Sequence, residues 1–230
     1  MEPWTELELE AQLTDSERSD FEAIASVNHY PAGNILLGNG EETDFVLFIV
    51  KGFVKIVIPG PPERIVGLRG PGQIVGEMAA IRRKPRSASV FAVGRVDALF
   101  LPGYKWLQFL HEHPRAALAQ IYTADERLAE ATRKTVESFL GAQQRLAKAM
   151  VELEESGPAI PGPEGVKLPF SQQDLAAIAG VGVDSVKQVF KIFRENKVIS
   201  TARKATTITD SGTLRAVARG DQSLSLPAGE

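Results

Sequence analysis

A 230-residue chain with 43% hydrophobic, 24% charged and 7% aromatic residues has the composition of a soluble globular protein, with room for one large core or two ordinary ones. The absence of cysteine excludes disulfides, thiolate metal sites and iron–sulfur clusters, and with three histidines (His29, His111, His113) a metalloenzyme is not expected. The net charge of -3 argues against a uniformly basic nucleic-acid binder, but the charge is uneven. Residues 1–110 hold 11 Lys+Arg against 14 Asp+Glu (-3), residues 111–169 hold 7 against 9 (-2), and residues 170–220 hold 8 against 4 (+4). No apolar run reaches the roughly 18 residues of a membrane span. Met1 to Glu10 lacks the basic and apolar regions of a signal peptide, so the chain reads as cytoplasmic with no membrane partner.

Residues 5–27 carry helical spacing (Leu7, Leu9, Leu13, Phe21, Ile24, Ala25), and Thr14 with Glu17 forms a capping-box pattern. From Val27 to Leu101 the period changes to strands. Phe45–Val50 and Phe53–Ile58 are β-rich runs punctuated by Lys51-Gly52, Pro59-Gly60-Pro61-Pro62 makes a turn, and Ile65–Leu68 resumes the sheet. Ser87–Val93 and Val96–Leu101 follow, separated by Gly94-Arg95. Many short strands at close spacing predict a small antiparallel barrel or jelly roll.

Between Arg115 and Glu155 there is no proline and one glycine, Gly141, which predicts some forty residues of helix. Leu118, Ile121, Leu128 and Phe139 fit a heptad, with Asp125, Thr132 and Thr135 interrupting it. An interrupted apolar stripe favours a dimer seam over packing on the chain's own barrel. Residues 156–165 read as a hairpin tip, and beyond Gly212 the chain turns polar and reads as frayed.

Two segments carry chemistry. In Gly70 to Val90, Glu77 stands nine residues before Arg86-Ser87-Ala88. Such a segment offers a cyclic phosphodiester a bidentate cation, a hydroxyl and backbone N–H groups, and offers a sugar hydroxyl a carboxylate. The adjoining Arg82-Arg83-Lys84 reads as a solvated loop, the alternative being a cluster that thickens the positive potential around the phosphate. In Ser171 to Ile199, Ser171 caps a first helix over Gln172–Ala179, Gly180 supplies a tight turn, and a second helix runs over Val183–Glu195 behind the weaker cap Gly182. Ala176, Gly180 and Val186 stand at helix-turn-helix spacing, and Leu175, Ile178, Val189, Phe190 and Phe193 would fill the core. Ile199 to Ile208 reads as a two-stranded wing with Arg203 and Lys204 at its tip. The exposed first turn of the second helix, Val183, Asp184, Ser185, Lys187 and Gln188, has no arginine, the commonest reader of guanine. Lys187, Lys191, Ser171 and the wing suit phosphates, leaving readout to Gln188, Ser185 and DNA shape. No nucleophile–base pair or metal cluster is visible, so an enzyme is not expected.

In this order, these parts resemble the cyclic-AMP receptor protein and fumarate-nitrate regulator family of bacterial transcription factors over residues 15–210. The resemblance rests on Tyr30-Pro31-Ala32-Gly33, Gly40-Glu41, Ile49-Val50-Lys51-Gly52, Gly70-Pro71-Gly72, Gly76-Glu77-Met78-Ala79 and Pro85-Arg86-Ser87-Ala88. It implies an α+β chain in four parts. Residues 1–114 would be a cyclic-nucleotide-binding antiparallel β-barrel or jelly roll with N-terminal helices, and 115–155 a long dimerisation helix. Residues 156–212 would be a winged helix-turn-helix DNA-binding domain, and 213–230 a flexible tail.

Residue by residue, the resemblance implies that Glu77 accepts from the ribose 2′-hydroxyl and that Arg86 pairs with the cyclic phosphate. Ser87 and the backbone around Gly76, Met78, Ala79 and Ala88 would assist. Arg127, Leu128 and either Ala131 or Thr132 would approach the purine, with cyclic AMP favoured as effector and cyclic GMP the alternative. The seam Leu118, Ile121, Asp125, Leu128, Thr132, Thr135 and Phe139 would make a homodimer. Ser171, Gln172, Val183, Asp184, Ser185, Lys187, Gln188, Lys191, Arg203 and Lys204 would contact double-stranded DNA, with RNA polymerase a further partner. No covalent cofactor or metal is implied, and His29 reads as a strand-end surface residue.

Gly182-Val183-Asp184-Ser185-Val186 departs from the family's Ser-Arg-Glu-Thr-Val pattern, and Gln188 replaces its second arginine. An operator unlike the family's consensus, or low DNA affinity, follows. Two alternatives remain open: a nucleotide sensor acting through a protein partner, and a DNA-binding regulator that works without nucleotide.

Overall fold

The computed structural model describes residues 9, 11–202 and 204–227, apart from the side chain of Val183. Leu7, Arg203 and the last three residues of the expected tail lie outside the described residues. The chain divides into two compact units, one of residues 1–59 and 67–133 and the other of residues 60–66 and 134–230.

In the first unit, helix α1 (Asp15–Ile24) begins with the expected capping box: Thr14 accepts from the Glu17 backbone N–H while the Glu17 carboxylate accepts from the Thr14 N–H. Strands β1 (Ser26–Tyr30), β2 (Ile35–Leu37), β3 (Phe45–Ile58), β4 (Arg64–Arg69), β5 (Ile74–Val75) and β6 (Ser89–Pro102) make one antiparallel sheet. Its order is β1-β6-β3-β4, with β2 on β6 and β5 on β3. The expected pairs of short runs are each one 14-residue strand, β3 and β6. Gly52 and Gly94 do not end them. Both take positive φ (82° and 77°), and the register shifts between Lys51 and Phe53, so each glycine bends a continuing strand. A Cβ on Gly52 would stand 2.2 Å from the Arg95 carbonyl oxygen, so that crossing admits glycine alone.

The apolar run of β3 is continuous because both its faces are buried. Val46 and Phe48 pack with Phe21 and with Trp106 and Phe109 of helix α3 (Gly103–Glu112), while Leu47 and Ile49 pack with Leu37, Val75, Val90 and Ala98. Helix α2 (Glu77–Arg82) follows β5, and helix α4 (Pro114–Glu137) follows α3. Arg115, at the start of α4, donates in buried surroundings to both oxygens of Glu17 (2.9 and 2.8 Å) and to the carbonyl of Gln12 (3.1 Å), and in partly buried ones to the carbonyl of Ala11 (2.9 Å).

The single forty-residue helix expected over 115–155 is corrected to two, α4 and α5 (Ala142–Ser156). After β-branched Thr135 and Val136, the Ser138 hydroxyl donates to the Thr135 carbonyl (2.6 Å), and Phe139 and Leu140 close three-residue turns on Val136 and Glu137. Gly141 is then extended (φ -62°, ψ 153°) and starts α5.

The second unit holds a sheet of β7 (Ile160–Gly162), β8 (Gly165–Leu168), β9 (Ile199–Ala202) and β10 (Ala205–Ile208), ordered β7-β8-β10-β9. Helices α6 (Gln172–Ala179) and α7 (Val183–Glu195) have the bounds read from the sequence. Helix α5 packs here through Leu146, Ala147, Met150 and Leu153. The tail expected to be flexible from 213 is instead helix α8 (Ser211–Arg219), capped by Asp210 on the Thr213 N–H and ended by Gly220 at φ 84°. Leu214, Val217 and Ala218 bury its inner face, and beyond it Leu224 N–H donates to Gln143 (2.9 Å) and the Ser225 carbonyl accepts from Asn196 (2.8 Å).

Candidate functional site

The site lies where β5 gives way to α2. Gly76 turns the chain at φ 87°, a conformation that costs other residues about 1 kcal/mol or more. A Cβ there would also meet an Arg86 nitrogen at 2.8 Å and the Phe45 carbonyl at 3.0 Å. The glycine therefore lets Arg86 in. Arg86 is 3% exposed and donates through Nε to Thr43 Oγ1 (2.9 Å), through Nη1 to the Gly76 carbonyl (2.8 Å) and through Nη2 to the Phe45 carbonyl (2.8 Å). Its guanidinium lies 4.8 Å from the Phe45 ring centroid. The Arg86 backbone is fixed as well, its N–H donating to the Glu41 carbonyl (3.0 Å) and its carbonyl accepting from the Gly40 N–H (2.8 Å).

Among the described residues no carboxylate pairs with Arg86. Burial lowers its pKa, and the fields of Asp44, Glu41 and Glu77 push back. Three neutral oxygens solvate the cation without neutralising it, and a buried charge in that state favours an anion.

Glu77, 4% exposed, pairs with Arg127 of α4, which also donates to the Ile74 carbonyl (3.1 Å). Arg86 and this pair line a cavity of about 200 Å³. Gly76, Met78, Ala79, Ser87 and Ala88 line it too, so the structure gathers all the residues expected from the two cassette segments, with Arg127. Leu128 and Thr132 are elsewhere: both are exposed on α4, and the Thr132 hydroxyl donates back to the Leu128 carbonyl (2.9 Å). Ala131 is exposed on the same helix. Arg69 at the end of β4 lines the cavity and was missed from sequence, where an arginine closing a strand before Gly70-Pro71 reads as turn solvation.

In the second unit the Ser171 hydroxyl serves a capping box, accepting from the Asp174 N–H (3.1 Å) and donating to the Asp174 carboxylate (2.7 Å). It is thereby engaged inside the protein, and Gln172 beside it is half-buried. Gly180 takes φ 62°, Ala176 and Val186 are buried at the crossing, and Leu175, Val189, Phe190 and Phe193 fill the core beneath, with Ile178 half-buried. Asp184, Ser185, Lys187, Gln188 and Lys191 are exposed together on α7, with Lys187 3.5 Å from Asp184. Val183 begins that helix, and Lys204, at φ 58°, turns the wing between β9 and β10.

On α4, Leu118, Ile121, Asp125, Leu128, Thr132 and Thr135 are all exposed, as is Phe139 just beyond it. Ile121 is 66% exposed, Leu128 65% and Phe139 88%. No group of three His, Asp or Glu side chains poised for a metal occurs among the described residues, and no helix there is long and apolar enough to cross a membrane.

A jelly-roll pocket followed by a winged helix-turn-helix defines a ligand-sensing regulator of transcription. Residues 27–113 match the cyclic nucleotide-binding domain, and residues 144–217 match the Crp-like helix-turn-helix domain. The chain belongs to the CRP/FNR family of cyclic-nucleotide-binding, DNA-binding transcription regulators. It is 23% identical over 199 residues to the cAMP-activated global transcriptional regulator CRP of Salmonella typhimurium, covering 85% of this chain and 95% of that one. It is 27% identical over 194 residues to the cyclic AMP receptor protein of Thermus thermophilus, covering 83% and 87%. Among solved structures, the c-di-GMP responsive regulator CLP of Xanthomonas campestris superposes with a TM-score of 0.75 at 21% identity, covering 85% of this chain and 99% of that one.

Proposed function

We propose that this protein is a homodimeric regulator whose affinity for DNA is set by a cyclic nucleotide held on Arg86 and Glu77. The observation that carries this reading is the buried Arg86 guanidinium, solvated by neutral oxygens, without a carboxylate partner, and lining a cavity. A cyclic phosphate would supply the missing negative charge. Glu77 Oε1 takes the Arg127 hydrogen bond, while Oε2 carries none among the described residues, so it is open to a ribose hydroxyl. Cyclic AMP is the favoured effector, with support from the cAMP-binding relatives; cyclic GMP is the alternative.

The exposed apolar residues of α4 support the dimer, since Leu118, Ile121 and Leu128, three and seven residues apart, lie along one stripe of the helix that a partner helix would cover. Asp184, Ser185, Lys187, Gln188 and Lys191, with the wing, would then meet DNA half-sites about one helical turn apart. Ligand and DNA would be coupled by about 1–3 kcal/mol, or five- to 150-fold.

Anisotropy titration of a selected DNA site with and without cyclic AMP or cyclic GMP tests the reading. Affinity should rise at least about fivefold with one of them. The same affinity in every condition would overturn it. For the dimer, Ile121→Glu with Leu128→Glu places carboxylates along the seam. Analytical ultracentrifugation should show the double variant as monomer at concentrations where the parent is dimer; an unchanged mass would remove these residues from the interface.

A further inference from the structure

We infer that Gln12 is a positioning residue of the effector site, acting through Ile74 on the Arg127–Glu77 pair without itself lining the cavity. This rests on the reading that Glu77 meets the ligand. The match to the cyclic nucleotide-binding domain begins at residue 27, so Gln12 lies outside it.

Strand β5 has two residues and pairs with β3 along one edge, Ile74 opposite Phe48 and Val75 opposite Leu47. Among the described residues no strand covers its other edge. A buried edge must find partners for its backbone groups, and Ile74 finds both in side chains. Its N–H donates to Gln12 Oε1 (2.7 Å), and its carbonyl accepts from Arg127 Nη2 (3.1 Å). Gln12 is 4% exposed and Ile74 fully buried, so solvent does not stand in for a lost partner.

Gln12 is itself held. Its backbone carbonyl accepts from Arg115 Nη2 (3.1 Å), and the Ala11 carbonyl accepts from Arg115 Nη1 (2.9 Å). Arg115 and Arg127 both belong to α4, about 18 Å apart along its axis. The four residues make a closed frame: Arg115 holds Gln12, Gln12 holds Ile74, Ile74 holds Arg127, and α4 joins the two arginines.

The frame meets the cavity at Arg127. Among the described residues that guanidinium has two hydrogen-bond partners, the Glu77 carboxylate and the Ile74 carbonyl, while its Nε is buried without one. Two attachments define an orientation that one does not. Without the Gln12 amide the Ile74 N–H is left buried and unpaired, which drives β5 toward another acceptor. The Ile74 carbonyl moves with it, and Arg127 and Glu77 follow.

Two readouts on the full chain test this. The Arg127 Nε–H resonance in isotope-labelled protein, assigned by its loss in Arg127→Lys, reports the guanidinium without ligand. Calorimetry with cyclic AMP and cyclic GMP reports affinity. Gln12→Leu should shift the resonance and weaken nucleotide binding about tenfold, the size of a single hydrogen bond to a charged group. Gln12→Asn, which draws the amide back by one methylene, should move both in the same direction by less. Gln12→Glu keeps an acceptor at full reach and should bind within about threefold of the parent. Phe109→Leu loosens the stack with Trp106 and His113, so it should lower the melting temperature and leave both readouts in place. Unchanged affinity in Gln12→Leu and Gln12→Asn would overturn this inference and leave the proposed function standing. So would lost affinity with the Arg127 resonance unmoved, or an equal loss in Phe109→Leu. A parent that binds neither nucleotide would overturn both.

Discussion

Arg86→Leu is expected to weaken cyclic-nucleotide binding by at least about a hundredfold, since a bidentate phosphate contact comprises two charge-assisted bonds of roughly 1.5–3 kcal/mol each. DNA affinity should then ignore added nucleotide. The effect on stability should be smaller, because two opposed changes accompany the substitution. Thr43, Gly76 and Phe45 lose their donor, yet a buried cation without a counter-ion disappears. Arg86→Lys should fall between the two, keeping the charge while losing the fork. Calorimetric titration beside a thermal melt reads both quantities. A folded Arg86→Leu protein that binds nucleotide normally would refute the assigned role.

The largest loss of stability is expected from Arg115→Met. Removing one member of a buried ion pair strands the other, at about 3–5 kcal/mol, and here the Ala11 and Gln12 carbonyls lose their donor too. Urea denaturation should show the drop as a lower midpoint. Glu17→Gln should resemble it, and the double variant should lose clearly less than the sum of the two, the mark of direct coupling. Additive losses would mean that the pair does not act as a unit.

The same pair predicts a pH dependence. Burial alone would raise the Glu17 pKa, but hydrogen bonds and charge from Arg115, with the Thr14 N–H and hydroxyl, outweigh it and hold the carboxyl below its usual 4.5. A depressed folded pKa stabilises the protein above the unfolded value, and that stability is lost as pH falls through the folded value. The parent should therefore lose stability below about pH 4 more steeply than Glu17→Gln does.

What was legible in the sequence was local. The Thr14–Glu17 box and the Ser171–Asp174 cap are each decided within four residues, and α6 and α7 are bounded by Ser171, Gly180 and Gly182. The Glu77 and Arg86 cassette was legible because its chemistry is concentrated in ten residues. Arg115 and Glu17, 98 positions apart, left no trace in spacing, and Arg69 acquires meaning only through its neighbours in space.

The break after α4 was hidden because Ser, Phe and Leu are all tolerated in helices. It is the turn of Ser138 onto Thr135 that stops the helix. Helix α8 is a different case. Asp210, the Leu214–Val217–Ala218 spacing and Gly220 were all present as signals, and the polar residues around them masked a short amphipathic stripe.

The burial of β3 on both faces has a consequence for how the chain is made. Phe45 to Val50 is six residues of high β-propensity without a charge, the composition of a sticky segment. Its partner residues Ala98 to Pro102 leave the ribosome some fifty positions later. Through that interval the two residues of β5, Ile74 and Val75, are the only ones of its antiparallel partners on β5 and β6 to have emerged, and Asp44 and Lys51, one charge at each end, act as its gatekeepers against self-association.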